Sequence, residues 1–256
     1  MDFSGATSNL QLRMAASSAG INRRQAVLNS LNIQKGQKIL DIGCGGGHLL
    51  KEIALSVGPT GISFGLDPSE AQINSAKDRC IQLKNVEFLC QGAEKIDLPT
   101  NFFNSITSTQ TLEYIQNVDS VLIETKRLLE PGGKFVNVSV LWDHFRFHGP
   151  ESDLNNLIHE AFRAHCFHQM LPMEIKCKLQ KLGFYNVRNQ ALAFLITERN
   201  SNSPATFSEE TVANFALKEG ISKKKVLDWR NQLALAEEQG NFGFTSFPVL
   251  TEAILK

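Results

Sequence analysis

The sequence predicts an α/β fold built on a parallel sheet. Short apolar strands alternate with amphipathic helices from residue 23 to residue 140. A glycine-rich loop joins the first strand to the helix that follows it. Composition is that of a folded chain, with 42% hydrophobic and 20% charged residues, which excludes disorder. A length of 256 residues suits one large α/β domain, or one domain with a modest insertion.

Each element follows from its residues. Residues 23–31 read as a helix, 38–42 as a buried strand, 48–57 as a helix and 61–66 as a strand. A helix over 69–83, strands over 86–89 and 104–108, and a helix over 119–129 come next. Pro131-Gly132-Gly133 marks a turn before a strand over 134–140. Beyond Val140 the character changes, and five of the six histidines fall between His144 and His168. Leu154, Leu157, Ile158, Ala161 and Phe162 have the spacing of an amphipathic helix. Another helix starts near Pro172 and stops at Gly183. Residues 185–196 read as one strand and 242–254 as the last. Between them, Thr206 and Glu209 form a capping box opening one helix, and Ser222 caps another. Two helices between two late strands predict a helical cap inserted between antiparallel partners.

Leu40-Asp41-Ile42-Gly43-Cys44-Gly45-Gly46-Gly47 stands where open α/β sheets bind ligands. Glycines there let backbone approach a ligand closely. A dinucleotide fingerprint fails in both registers, since the sixth position is His48 from Gly43 and Leu50 from Gly45. No P-loop pattern exists either. Asp41, at the end of the strand, would repel a pyrophosphate and suits a cationic ligand.

These residues carry a resemblance. Asp41-x-Gly43-x-Gly45-x-Gly47 resembles the first motif of class I S-adenosylmethionine-dependent methyltransferases. The resemblance continues through Asp67 in Gly65-Leu66-Asp67-Pro68, Gln91-Gly92-Ala93-Glu94, Leu112-Glu113-Tyr114, and Leu128-Leu129-Glu130-Pro131-Gly132-Gly133-Lys134-Phe135. It covers residues 34–140 well and the remainder more loosely. It implies a doubly wound, Rossmann-like, seven-stranded mixed sheet with an antiparallel last strand, and S-adenosyl-L-methionine as cofactor. The implied cofactor residues are Asp41, Gly43, Cys44, Gly45, Gly47, Asp67, Pro68, Gln72, Gly92, Ala93, Glu94, Thr109 and Gln110. Asp67 would take the ribose hydroxyls, Asp41 the ammonium end, and the Ala93 N–H the adenine ring. Gly92 and Asn104 stand where many relatives carry Asp. Cys44 reads as a small packed side chain.

For the acceptor, His144 and His148 follow the fifth strand and are the candidate bases, with Glu113 or Tyr114 as alternatives across the pocket. His165 reads as packed and His159 as solvated. Eleven of the 17 phenylalanines follow Val140, as core of the cap or as walls of an apolar acceptor pocket.

The chain divides into an N-terminal helical segment (1–33), a cofactor-binding core (34–140), and cap helices with the last two strands (141–256). The expected activity is methyl transfer to a small, partly apolar molecule, at oxygen first, then nitrogen, then carbon. The rivals are a cyclase or isomerase on the same fold, and a non-catalytic cofactor sensor. With 26 Lys plus Arg against 26 Asp plus Glu, no whole-chain grip on nucleic acid is expected. No metal is expected, because no Asp/His cluster accompanies the fourth strand. No apolar run is long enough for membrane insertion, and the first twenty residues lack a secretory pattern. The five cysteines form no CxxC, which fits reduced thiols in the cytoplasm. A homodimer is left open.

Overall fold

The computed structural model describes residues 13–200 and 203–256, so the first twelve residues of the expected N-terminal segment and part of the expected loop 200–206 lie outside the description. The strands are β1 (Lys38–Ile42), β2 (Ile62–Leu66), β3 (Val86–Leu89), β4 (Phe103–Thr109), β5 (Leu129–Val140), β6 (Arg146–His148), β7 (Phe184–Ala191), β8 (Phe194–Ile196), β9 (Gly243–Ser246) and β10 (Pro248–Leu255). Seven of them form one sheet in the order β3-β2-β1-β4-β5-β10-β7. Only β10 runs antiparallel, to both β5 and β7. Pairings from β3 across to β5 are parallel. The strand order reverses between β1 and β4, which opens a crevice at their carboxyl ends.

The helices are α1 (Ser18–Leu31), α2 (His48–Val57), α3 (Glu70–Arg79), α4 (Val118–Leu128), α5 (Ser152–Arg163), α6 (Leu171–Lys181), α7 (Pro204–Lys218) and α8 (Lys223–Glu238). A central parallel strand is covered on both faces, so its apolar run does not alternate with polar residues. Ile39 of β1 packs with Val27 of α1 and Ile53 and Val57 of α2. Leu40 and Ile42 turn to the other face, where Leu122 of α4 and Ile175 and Leu179 of α6 cover the sheet.

Several boundaries differ from expectation for physical reasons. The Pro131-Gly132-Gly133 turn is a bulge inside β5: Phe103 pairs with Leu129, whereas Ser105 pairs with Lys134. The strand expected over 185–196 breaks at Leu192 and Ala193, because β7 belongs to the large sheet and β8 to a second sheet. The expected last strand also divides. Phe247 separates β9 from β10, and Pro248, which has no N–H to offer a ladder, opens β10.

That second sheet, β6-β9-β8, makes the cap more than helical. It packs with α5, α7 and α8 around Phe147, Ile158, Val212, Phe215, Trp229 and Phe244. Phe147 and Phe244 stack with centroids 4.5 Å apart. The Trp229 indole donates to Asn155 Oδ1 (3.0 Å), and Asn155 Nδ2 donates to the Phe147 carbonyl (2.8 Å). The cap therefore has a core of its own, in which the Trp229 and Asn155 polar groups are paired. The Thr206–Glu209 capping box does not form. Ser203 caps α7 instead, and Glu209 is buried between Arg199 (2.7 Å) and Arg230 (2.8 Å). Ser222 caps α8 as expected.

Candidate functional site

A cavity of about 680 Å³ lies across the carboxyl ends of β1, β2 and β4 and the loop after β3, within the size range of small-molecule sites. Local chemistry shapes its floor. Gly43 N–H and Cys44 N–H both donate to the Leu66 carbonyl, at 2.7 and 2.9 Å, which folds the loop over β2. Gly43 has φ 71°, and a Cβ there would sit 2.1 Å from Thr111 Oγ1, so no other residue fits. Gly47 has φ 76°, and its Cβ position meets the Ala76 Cβ at 2.8 Å. Gly47 brings α2 close to α3 and does not line the cavity, which corrects its assignment as a cofactor contact.

The other twelve expected cofactor residues, Asp41, Gly43, Cys44, Gly45, Asp67, Pro68, Gln72, Gly92, Ala93, Glu94, Thr109 and Gln110, all line the cavity. Asp67 Oδ2 accepts from Gly45 N–H (3.0 Å) and Oδ1 from Ser69 N–H (2.9 Å). These bonds hold the carboxylate at the rim. An ionised carboxylate has about four acceptor sites, so two remain for ligand hydroxyls. Burial pushes its carboxyl up, and the Ser69 and Gly45 amides pull it down. Asp41 is only 2% exposed, and its carboxylate makes no hydrogen bond or ion pair among the described residues. Burial, aided by the charge of Asp67, pushes its carboxyl up to about 8. An uncompensated buried carboxylate calls for a cation. Ala93 is buried in a bend, and its N–H is unpaired among the described residues. Gln110 has φ 51°, uncommon for a residue with a side chain, and turns the chain out of β4 across the cavity.

A donor with a ribose, an adenine edge, an ammonium and a sulfonium fits this set. Asp67 can take the hydroxyls, Ala93 the ring edge, and Asp41 the positive end. Cys44 is a packed thiol among Leu50 and Ile73, held protonated by burial and by Asp41 and Asp67. Asn104 lies at the opposite end of β4 from the cavity. It accepts from Lys38 N–H (2.7 Å) and donates to Glu130 (2.7 Å), so the missing Asp there touches strand pairing and not the donor.

The histidines are arranged differently from expectation. His148 is exposed on β6 opposite Gly243, and His144 is exposed beside Phe247. Neither lines the cavity, because the chain after β5 turns into the cap sheet instead of folding over the donor site. The placement corrects their assignment as acceptor bases. His159 is buried, not solvated: its Nε2 accepts from Phe147 N–H (3.2 Å). His165 is packed as expected, stacked on Phe162 at 4.0 Å with Nδ1 2.7 Å from the Phe162 carbonyl. Desolvation pushes it down to about 4, so it is neutral near pH 7.

Tyr114 lines the cavity and Glu113 lies behind it. Glu113 is fully buried. Its Oε2 accepts from Ser139 Oγ (2.9 Å) and its Oε1 from Val140 N–H (3.3 Å). Its carbonyl accepts from Phe167 N–H and His168 N–H, at 3.0 and 3.2 Å. One residue thus ties the ends of β4 and β5 to the loop before α6. Burial pushes its carboxyl up to about 7, against the pull of those donors. Sequence reasoning missed Arg23 and Arg24 of α1, which also line the cavity. Nothing in an ordinary helical pattern distinguishes them.

A family model described as a methyltransferase domain matches residues 33–216. The ubiquinone/menaquinone biosynthesis C-methyltransferase UbiE of Burkholderia cenocepacia is 33% identical over 147 residues, covering 55% of this chain and 60% of the relative. The chain thus spans well under two thirds of the curated relative it matches. In fold, it is similar to the phosphoethanolamine N-methyltransferase 2 of Haemonchus contortus solved with S-adenosyl-L-methionine. That match has a TM-score of 0.66 at 19% identity, over 99% of this chain and 57% of that one. It is also similar to the [4+2]-cyclase SpnF, with a TM-score of 0.59 at 19% identity, over 94% and 84%. Likeness at such identity establishes the architecture alone. Together with the matched domain and the cavity residues, it assigns the protein to the class I S-adenosylmethionine-dependent methyltransferase family.

Proposed function

We propose that the protein methylates a small, partly apolar acceptor, and that the target atom is a carbon of an electron-rich ring or enol. The observation that carries the transfer reading is Asp41. It is an unmatched carboxylate beside Asp67, under the glycine loop, in a cavity that ends at Tyr114. Carbon replaces oxygen as the first target because the curated relatives are C-methyltransferases. In this reading residues 34–140 hold the donor, and 141–256 supply the cap and the last two strands. The setting is cytoplasmic and the partner is a small molecule. No helix among the described residues is long and apolar enough to cross a membrane.

Bound S-adenosylmethionine supplies an electrophilic methyl group on a sulfonium; the acceptor's electron pair forms the new bond as the carbon–sulfur bond breaks, and S-adenosylhomocysteine leaves. The chain's part is placement. Asp67 fixes the ribose and Asp41 the positive end, so the reacting atoms meet in line. Tyr114, braced from behind by the Glu113–Ser139–Val140 bonds, forms the acceptor wall. His48 lines the cavity, but desolvation and the nearby Arg79 and Arg24 push it down to about 4, so it is a weak base and suits an acceptor that arrives already ionised.

Isotope-labelled methyl donor, incubated with the protein and a panel of hydroquinones, phenols and enols, tests this. The expected result is stoichiometric S-adenosylhomocysteine with the label on carbon, read by NMR of the product. Label on oxygen would overturn the carbon assignment. No homocysteine product across the panel and a metabolite extract would overturn the transfer.

A further inference from the structure

The cavity is lined by a carboxyl and a guanidinium that form no ion pair among the described residues. Asp41 is the carboxyl, and the charged group that acts on it is Asp67. Arg23 is the guanidinium. It is half-buried in the cavity wall, its Nε is buried without a hydrogen-bond partner, and no carboxylate among the described residues forms an ion pair with it. The charged and titratable groups acting on Arg23 are Arg24, beside it on α1, and Glu113 and Tyr114, which follow β4. Its neighbour differs. Arg24 Nε is paired with Glu52 (2.9 Å), and its guanidinium also donates to the Ala15 carbonyl (2.6 Å). Glu113 acts on Arg23 only at a distance: it forms no ion pair with it, and its hydrogen bonds go to Ser139 and Val140.

A guanidinium whose Nε is buried without a partner is costly unless a ligand supplies an acceptor. We propose that Arg23 binds an anionic oxygen of the acceptor next to Tyr114, so that the acceptor is a small monoanionic acid. The inference rests on the methyl-transfer reading and names the acceptor's chemical class. One open guanidinium balances one negative charge, and its planar fork accepts a carboxylate or a ring oxygen equally. Either source gives the same contact. An ionised enol or phenol has the further consequence that the carbon beside its oxygen is the nucleophile. Its hydroxyl proton has already gone to solvent, and the proton on the methylated carbon passes to that oxygen through solvent as the ring or enol is restored, so no base is required of the cavity. The alternative role for Arg23 is to hold the donor's own carboxylate. That group hangs on the same carbon as the ammonium, and the S-adenosylhomocysteine affinity of the Arg23 variants separates the two roles.

Three probes matched in shape test the proposal by calorimetry: benzoate, para-nitrophenolate and the neutral benzamide. Each is titrated into the protein alone and into the protein saturated with S-adenosylhomocysteine. The expected result is that at least one anion binds about tenfold or more tighter than benzamide. Preference for benzoate alone identifies a carboxylate acceptor, and preference for the phenolate an ionised ring hydroxyl. Arg23→Gln should abolish the preference and Arg23→Lys should keep part of it, while S-adenosylhomocysteine affinity stays within about threefold. Equal binding of all three probes to the wild type overturns the proposal. So does a loss of about tenfold or more in S-adenosylhomocysteine affinity on Arg23→Gln, which gives Arg23 to the donor. Melting temperatures of both variants identify a folding failure, and Arg23→Lys then carries the test. Failure of the wild type to bind S-adenosylhomocysteine is a separate result that strikes the methyl-transfer reading, whatever the anions do.

Discussion

Asp41 should make cofactor binding depend on pH. Its carboxyl is pushed up to about 8 by burial and by Asp67, so at neutral pH the ligand-free protein holds it mostly protonated. A ligand with a positive end binds the ionised form and releases the proton. The ionised fraction rises from about 3% at pH ~6.5 to about 50% at pH ~8, by the ordinary titration curve for a group at about 8. Affinity for S-adenosylhomocysteine should therefore rise about 15-fold over that interval, or about 1.6 kcal/mol. Calorimetry in buffers of different ionisation enthalpy reads the affinity and the released proton together. Asp41→Asn should bind weakly and show neither effect. Stability moves the other way. The folded state keeps a proton that the unfolded chain gives up above pH ~4, so burial of Asp41 subtracts from stability increasingly as pH climbs from about 4 to about 8. With a ceiling of about 5 kcal/mol when ionised, Asp41→Asn should raise the melting temperature at pH ~8 by several degrees. Tight binding of S-adenosylhomocysteine that is flat in pH, with no proton released, would refute the reasoning.

Other perturbations follow the same contacts. Asp67→Ala removes the proposed ribose acceptor and the brace on Gly45, and should weaken S-adenosylhomocysteine binding by about 30-fold or more in a fluorescence or calorimetric titration. Glu113→Leu leaves Ser139 Oγ and Val140 N–H buried without this acceptor, and should cost about 2–3 kcal/mol in a denaturant melt, whereas Glu113→Gln should cost less. Burial pushes Glu113 up to about 7, so it too subtracts from stability as pH rises through about 4.5 to 7; Glu113→Gln should flatten that part of the pH–stability curve. His148→Ala, at an exposed site outside the cavity, should leave turnover and melting temperature nearly unchanged. A hundredfold loss of turnover there would return His148 to the mechanism.

The donor half of the site was legible because its chemistry is local. Asp41, Gly43, Gly45 and Asp67 stand at strand ends, where an apolar run stops and a loop begins, and that pattern is visible in a string of letters. Gly47 shares the motif but serves packing against Ala76, a contact 29 positions away that spacing cannot reveal. The cap was legible as helices but not as a sheet. β6 and β8 are three residues long, too short for an alternating pattern, and they pair with β9 about 100 and 50 positions away. For the same reason the histidines after Val140 were misassigned. Their direction is decided by where Phe147 finds Phe244 and Trp229, not by their distance along the chain from β5. Arg23 was invisible because a cation on an amphipathic helix is ordinary until the neighbouring surface is known.

The most direct test is a crystal structure of the protein with S-adenosylhomocysteine. The account predicts ribose hydroxyls within hydrogen-bond distance of the Asp67 carboxylate, the ammonium on the Asp41 side, and the adenine edge at the Ala93 N–H. The sulfur should face the space bounded by Tyr114 and Arg23. Binding elsewhere, or in this cavity with the ribose away from Asp67, would contradict it.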